Sequence, residues 1–93
     1  MFKHILIPTD GSRVAAKAIK AGVAVAKARG VRFEPLVAKS NVPYRGIIEA
    51  AQQRKCDVIF IASHGYRGLT GLLLGSVTQE VLAHSKIPVL VFR

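Results

Sequence analysis

The sequence predicts an α/β protein built on an open, mostly parallel, doubly wound sheet of about four strands, with helices on both faces. Three observations lead there. Strand-like and helix-like patterns alternate along the whole of the 93 residues. The runs at residues 57–62 (DVIFIA) and 87–92 (IPVLVF) are apolar at nearly every position, as in strands covered on both faces. The stretches between strands are long enough for helices, which parallel neighbours need as crossovers.

Residues 2–7 (FKHILI) form the first strand, and Pro8 is expected to end it because proline has no N–H to give a ladder. His4 reads as a packed or edge histidine, since no other histidine stands at metal-ligand spacing from it. Asp10 and Ser12 both suit the cap of the helix that follows. There Ala15, Ala18, Ile19, Gly22, Val23 and Ala26 recur at helical period, Arg13, Lys17, Lys20 and Lys27 fall elsewhere on the wheel, and Gly30 ends the helix. Residues 31–38 read as a weaker strand, and Pro35 favours an edge position. A polar connection over residues 39–43 leads to a helix running to about Lys55, with Ile47, Ile48, Ala51 and Tyr44 as its buried stripe. Residues 57–62 are the central strand. Ser76 and Gln79 stand at capping-box spacing, so Ser76 is expected to cap a last helix to about His84, with Val77, Val81 and Leu82 inward. Residues 87–92 close the sheet.

Between the central strand and the last helix, Gly65, Gly68, Gly71 and Gly75 interrupt a polar and then apolar stretch. Loops of roughly 12 to 15 residues in compact domains tend to be functional or disordered, and Leu69, Leu72, Leu73 and Leu74 argue against disorder. Glycines let backbone amides approach a ligand, and a helix start offers N–H groups to an anion. A phosphate site is one reading; glycines that only punctuate a surface crossing are the other. The spacing fits neither a P-loop nor a dinucleotide fingerprint. Asp10, at the carboxyl end of the first strand, lies where open α/β sheets hold ligands. It reads as a helix cap, as an acceptor for a ribose or base, or as both.

Fourteen Lys and Arg against five Asp and Glu give a net charge of +9. The basic residues are spread along the chain without a dense run, and four Phe and two Tyr offer few stacking platforms, so specific nucleic-acid binding is not expected. A positive field that draws in phosphorylated small molecules is the better use of the charge. Cys56 is the only cysteine, which excludes an intramolecular disulfide and reads as an inert, partly buried thiol. No apolar run approaches the length of about 20 residues that spans a bilayer, and the chain opens on a strand rather than a signal peptide, so a cytoplasmic protein is expected. The last strand, apolar on both faces, calls for a covered edge. A two-fold homodimer through residues 88–92, from Pro88 to Phe92, would supply it.

Four stretches carry a resemblance. KHILIPTDGS at residues 3–12, VPYRGIIEAA at 42–51, CDVIFIASHGYRG at 56–68 and LLLGSVTQEVLAHSKIPVLV at 72–91 resemble, in sequence and in order, the universal stress protein family. Of that family's nucleotide signature, G-x2-G-x9-G-[ST], Gly65, Gly75 and Ser76 match, with Ala62 in place of the first glycine. The resemblance implies a Rossmann-like sheet of the adenine nucleotide alpha hydrolase-like kind, over a single domain at residues 1–93. It also implies a site for ATP or a related adenine nucleotide. Pro8, Thr9 and Asp10 would lie at the adenosine end. Ala62, Ser63, His64, Gly65, Tyr66, Arg67 and Gly68, with Gly75, Ser76, Val77 and Thr78, would hold the ribose and phosphates. Mg2+ would enter only through the phosphates.

The chain departs from the family in two ways. Ala62 puts a methyl group where the backbone would approach ligand, and one strand-helix unit is missing, with the strand that lends an apolar side chain to the adenine pocket. Residues 31–38 beside the first strand would restore that wall through Leu36 or Val37. Two functions therefore stand side by side: a stress-response module that binds an adenine nucleotide, and a dimeric scaffold that does not. No Ser, His and Asp set and no metal cluster stands in a usable context, so no catalysis beyond a slow ATP hydrolysis is expected. His64 reads as a hydrogen-bonding loop residue, and Arg67 either balances phosphate charge or is solvated.

Overall fold

Each hydrophobic period in the sequence becomes an element of the computed structural model, which describes residues 3–9, 13–37, 43–62 and 75–92. Strands β1 (His4–Thr9), β2 (Arg32–Val37), β3 (Val58–Ala62) and β4 (Val89–Phe92) alternate with helices α1 (Arg13–Arg29), α2 (Pro43–Gln53) and α3 (Ser76–His84). The strands form one parallel sheet in the order β2-β1-β3-β4. Among the described residues, no helix is long and apolar enough to cross a membrane.

The unbroken apolar runs follow from the layering. Side chains of a strand alternate between faces. Ile5, Ile7, Val58, Phe60 and Ala62 pack on one face with Ala18 and Ala26 of α1. Leu6, Ile59 and Ile61 pack on the other with Ile47 and Ala51 of α2 and Val81 of α3. Both interior strands are thus buried on both sides. Helix α1 lies so close to the sheet that a Cβ on Gly22 would come within 3.0 Å of Ile7 Cδ1 and 3.1 Å of Phe60 Cδ1.

Helices α1 and α2 end alike. Val31 N donates to Ala26 O (2.8 Å) and Gly30 N to Lys27 O (3.3 Å), with Gly30 at φ 66°. This is the Schellman arrangement, which needs a left-handed residue and so favours glycine. The same pair of bonds closes α2, Cys56 N to Ala51 O (2.8 Å) and Lys55 N to Gln52 O (3.2 Å), but here Lys55 itself takes φ 55°.

The two strand prolines behave differently from one another. Strand β2 does take an edge: Arg32 N donates to Lys3 O (3.2 Å), so by the two-residue period Pro35 turns its nitrogen away from β1. Strand β1, however, runs through Pro8 to Thr9 instead of stopping there. His4 explains this. Its N–H and C=O both face β3, donating to Asp57 Oδ1 (3.0 Å) and accepting from Asp57 N (2.9 Å). Pro8 therefore lacks its donor on the β3 side, and the ladder to β2 continues through Pro8 with Leu36 and Thr9 with Val37. Strand β4 begins at Val89, later than expected, because the Ser85 hydroxyl engages Ile87, accepting from its N–H (3.1 Å) and donating to its carbonyl (2.8 Å).

Candidate functional site

The chain leaves β1 through α1 toward β2 on one side, and leaves β3 through α3 toward β4 on the other. Such a reversal opens a crevice outside the carboxyl ends of the two strands, where open α/β sheets bind ligands. The ladder pairs Ile5 with Val58 and Leu6 with Ile59; carried on past the paired residues, the same offset would match Thr9 with Ala62. Pro8 is buried and Thr9 half-buried at the end of β1.

Helix α3 completes this end. Its N-cap is Gly75, with extended backbone (φ −63°, ψ 155°) and no side-chain cap, while Ser76 is already the first helical residue. The capping role expected of Ser76 is thereby corrected: it stands one residue too late, and glycine is tolerated at the cap because the position needs only extended backbone. The first helical bond is Gln79 N to Gly75 O at 3.0 Å. The amides of Ser76, Val77 and Thr78 precede it and have no acceptor within their own helix. Thr78 fixes where they sit. Its hydroxyl, in a residue only 3% exposed, donates to Ala62 O at 2.7 Å, tying the first turn of α3 to the last residue of β3.

Electrostatics favour an anion here. All three helices run back against the parallel strands, so their N-termini gather at the carboxyl end of the sheet. None has an acidic residue in its first turn. Within these first turns, no residue offsets the partial positive charge of the helix start. The methyl of Ala62 packs into the α1-side core with Ile7 and Phe60.

Of the residues expected at the site, the structure places Pro8 and Thr9 at the end of β1, Ala62 at the end of β3, and Gly75, Ser76, Val77 and Thr78 at the start of α3, with Thr78 bonded to Ala62. Asp10, Ser63, His64, Gly65, Tyr66, Arg67 and Gly68 lie outside the described residues. Strand β2 occupies the place beside β1, with Leu36 partly buried against the α2-side core and Val37 level with Thr9. The tie from Thr78 to Ala62 was not legible in the sequence. A threonine in the first turn of a helix that follows a buried strand is the pattern that points to it.

A second polar group lies at the opposite end of the sheet. The Asp57 carboxylate accepts from the backbone of Lys3 (2.7 Å) and His4 (3.0 Å). Partial desolvation works to raise its pKa, but these backbone bonds outweigh it and hold the carboxyl below its ordinary range. His4 is buried with its Nε2 3.4 Å from Glu34 Oε1, and Glu34 pairs with Arg54 at 3.1 Å. Burial pushes the neighbouring Cys56 thiol up, which keeps it protonated. Among the described residues no cluster of His, Cys, Asp or Glu is placed to hold a metal.

A family model described as "Universal stress protein family" matches residues 31–93. Universal stress protein MJ0577 of Methanocaldococcus jannaschii is 40% identical over 53 residues, 57% of this chain and 33% of that protein. Universal stress protein YxiE of Bacillus subtilis is 34% identical over 65 residues, 70% of this chain and 43% of that protein. The chain thus spans a third to less than half of the length of these relatives. UspA from Lactobacillus plantarum superposes with a TM-score of 0.83 at 17% identity, over 98% of this chain and 97% of that one. A universal stress protein in complex with cAMP superposes with a TM-score of 0.75 at 21% identity, over 99% of this chain and 97% of that one. At these identities the structural likeness is one of fold.

Proposed function

Because the chain belongs to the universal stress protein family, we propose that it binds ATP or a related adenine nucleotide in the crevice between the carboxyl ends of β1 and β3. The start of α3 carries the reading. Its first turn, without a side-chain cap, is pinned by Thr78 to the end of β3. Phosphates would accept from the amides of Ser76, Val77 and Thr78, and from Ser63 to Gly68. The hydroxyl of Thr78 is already engaged, so its contribution is its amide. Pro8, Thr9 and Asp10 would face the adenosine, with Leu36 or Val37 as the apolar wall. Mg2+ would be held by the phosphates. The neighbour crystallised with cAMP carries the same adenine, ribose and phosphate chemistry.

Bound nucleotide would act as a signal in a cytoplasmic homodimer, paired along Pro88 to Phe92. In support, β4 is an edge strand and Leu90 on it is 41% exposed. The substitution of Ala62 for the first signature glycine favours a second reading, a dimeric stress-response scaffold without nucleotide. Thermal unfolding separates the two: ATP with Mg2+ at about 100 times its dissociation constant adds roughly 2.7 kcal/mol. An unchanged melting temperature at millimolar ATP leaves the scaffold. Loss of ATP binding by calorimetry in a folded Gly65→Val variant is expected, and sedimentation at micromolar concentration should give a dimer.

A further inference from the structure

The basic residues that look scattered in the sequence are gathered by the fold at the amino-terminal end of the sheet, opposite the proposed nucleotide crevice. Parallel strands and antiparallel helices put every strand start and every helix end on one side. Lys3 precedes β1 and Arg32 opens β2, Lys27 and Arg29 close α1, Arg54 and Lys55 follow α2, and Lys86 follows α3. The register holds them together: His4 pairs with Arg32, Lys3 N bonds to Asp57, and Ile59 N bonds to Pro88 O. All seven are exposed. The acidic residues described nearest this end are Glu34, paired with Arg54, and Asp57, against which the seven basic residues leave five positive charges; Glu49 and Glu80 stand about one helical turn further in on α2 and α3, Glu80 against His84. Basic residues at helix ends complement the helix dipole. Lys3, just before β1, and Arg32, on β2, belong to no helix end.

We propose that this end is a docking face for the phosphodiester backbone of nucleic acid, bound without regard to sequence. With strands about 4.8 Å apart and sheet and helix layers about 10 Å apart, the charges spread over a face about 20 Å across. Duplex DNA carries one charge per about 1.7 Å of its axis, so such a face spans about 12 phosphates, enough to meet all the free cations at once. Charge complementarity sets the occupant. The exposed large apolar side chains, Val25, Leu82 and Leu90, stand on three separate elements, α1, α3 of the opposite layer and edge strand β4, so they do not form the single apolar helix face that inserts into a lipid surface. Sequence readout is not part of the proposal, because the face presents neither a recognition helix nor a stacking platform among the described residues.

The test is fluorescence anisotropy of the full chain with labelled random-sequence DNA and RNA duplexes of 20 base pairs over a range of NaCl. Both duplexes bind, and log affinity falls against log salt with a slope of about −4.5, the value for about five neutralised phosphates. The Lys27→Glu, Lys55→Glu, Lys86→Glu triple variant binds on the order of 100-fold more weakly near 0.1 M salt. Reversal of Lys17 and Lys20, nearer the other end of α1, costs far less, and saturating ATP leaves duplex binding unchanged. If the triple variant unfolds by circular dichroism, the corresponding glutamine variant replaces it. The proposal is overturned by equal losses in the two sets of variants, by a slope shallower than about −1, by competition from ATP, or by binding to phosphatidylserine vesicles without binding to duplex.

Discussion

Replacing Thr78 by valine keeps the branched shape of the side chain and removes the hydroxyl that joins α3 to Ala62 O at 2.7 Å. A neutral hydrogen bond contributes about 0.5 to 1.5 kcal/mol net, and a buried acceptor left without its donor costs about 1 to 3 kcal/mol. Thr78 is buried, so water does not replace the lost donor in place, and the expected cost is about 2 kcal/mol. In a domain of this size that lowers the melting temperature by roughly 8 to 16 °C. Thr78→Ser keeps the donor and gives up one buried methyl, about 0.8 kcal/mol. Urea unfolding monitored by circular dichroism reads both, as a shift of midpoint at constant slope. Because Thr78 also sets where the α3 amides point, the valine variant should bind ATP about tenfold more weakly under conditions where it is still folded, a loss of about 1.4 kcal/mol. A valine variant within 0.5 kcal/mol of the wild type, or a serine variant as unstable as the valine one, would refute the anchoring role.

Three further outcomes rest on separate parts of the fold. Gly30→Ala should cost about 1 kcal/mol through left-handed strain alone, since no atom lies within 4 Å of the added Cβ, whereas Lys55→Gly should gain about 0.5 kcal/mol by relieving the same strain; chemical denaturation showing both changes with one sign would contradict the matched helix ends. Gly22→Val should cost about 3 kcal/mol by overpacking α1 against Ile7 and Phe60, and an unshifted midpoint would mean that the helix stands further from the sheet. Asp57 has a folded pKa below its unfolded value, near 3.9, so its contribution is present above that pH and is lost as pH falls through the folded pKa. Asp57→Asn should therefore cost about 1 kcal/mol at neutral pH and progressively less in acid; an equal cost at pH 7 and pH 2.5 would remove the ionised carboxylate from the account.

What the sequence made legible follows from how local each cause is. The apolar runs of β1 and β3 mark interior strands because burial on both faces leaves no polar positions, and Leu6, Val58 and Ile59 are fully buried. Gly30 marks a helix end because only the backbone decides it. Pro8 misled because its effect depends on which neighbour the missing donor would face, and that is set by the distant Asp57. Ser76 misled by one residue because serine and glycine compete for the same cap and sequence spacing does not rank them. The gathering of Lys3, Arg32, Lys55 and Lys86 at one end was invisible along the chain, since only parallel pairing makes strand starts and helix ends neighbours. The meeting of the end of β3 with the start of α3 rests on the bond from Thr78 to Ala62, which spacing along the chain does not reveal.

The location of the nucleotide is tested most directly by titrating the isotopically labelled protein with Mg2+ and ATP and following backbone amide resonances. The account predicts saturable shifts at Thr9, Ser76, Val77 and Thr78, with little change at His4, Arg32 or Asp57 on the other side of the sheet. Unmoved spectra at millimolar ATP, or shifts confined to the amino-terminal end of the strands, would contradict it.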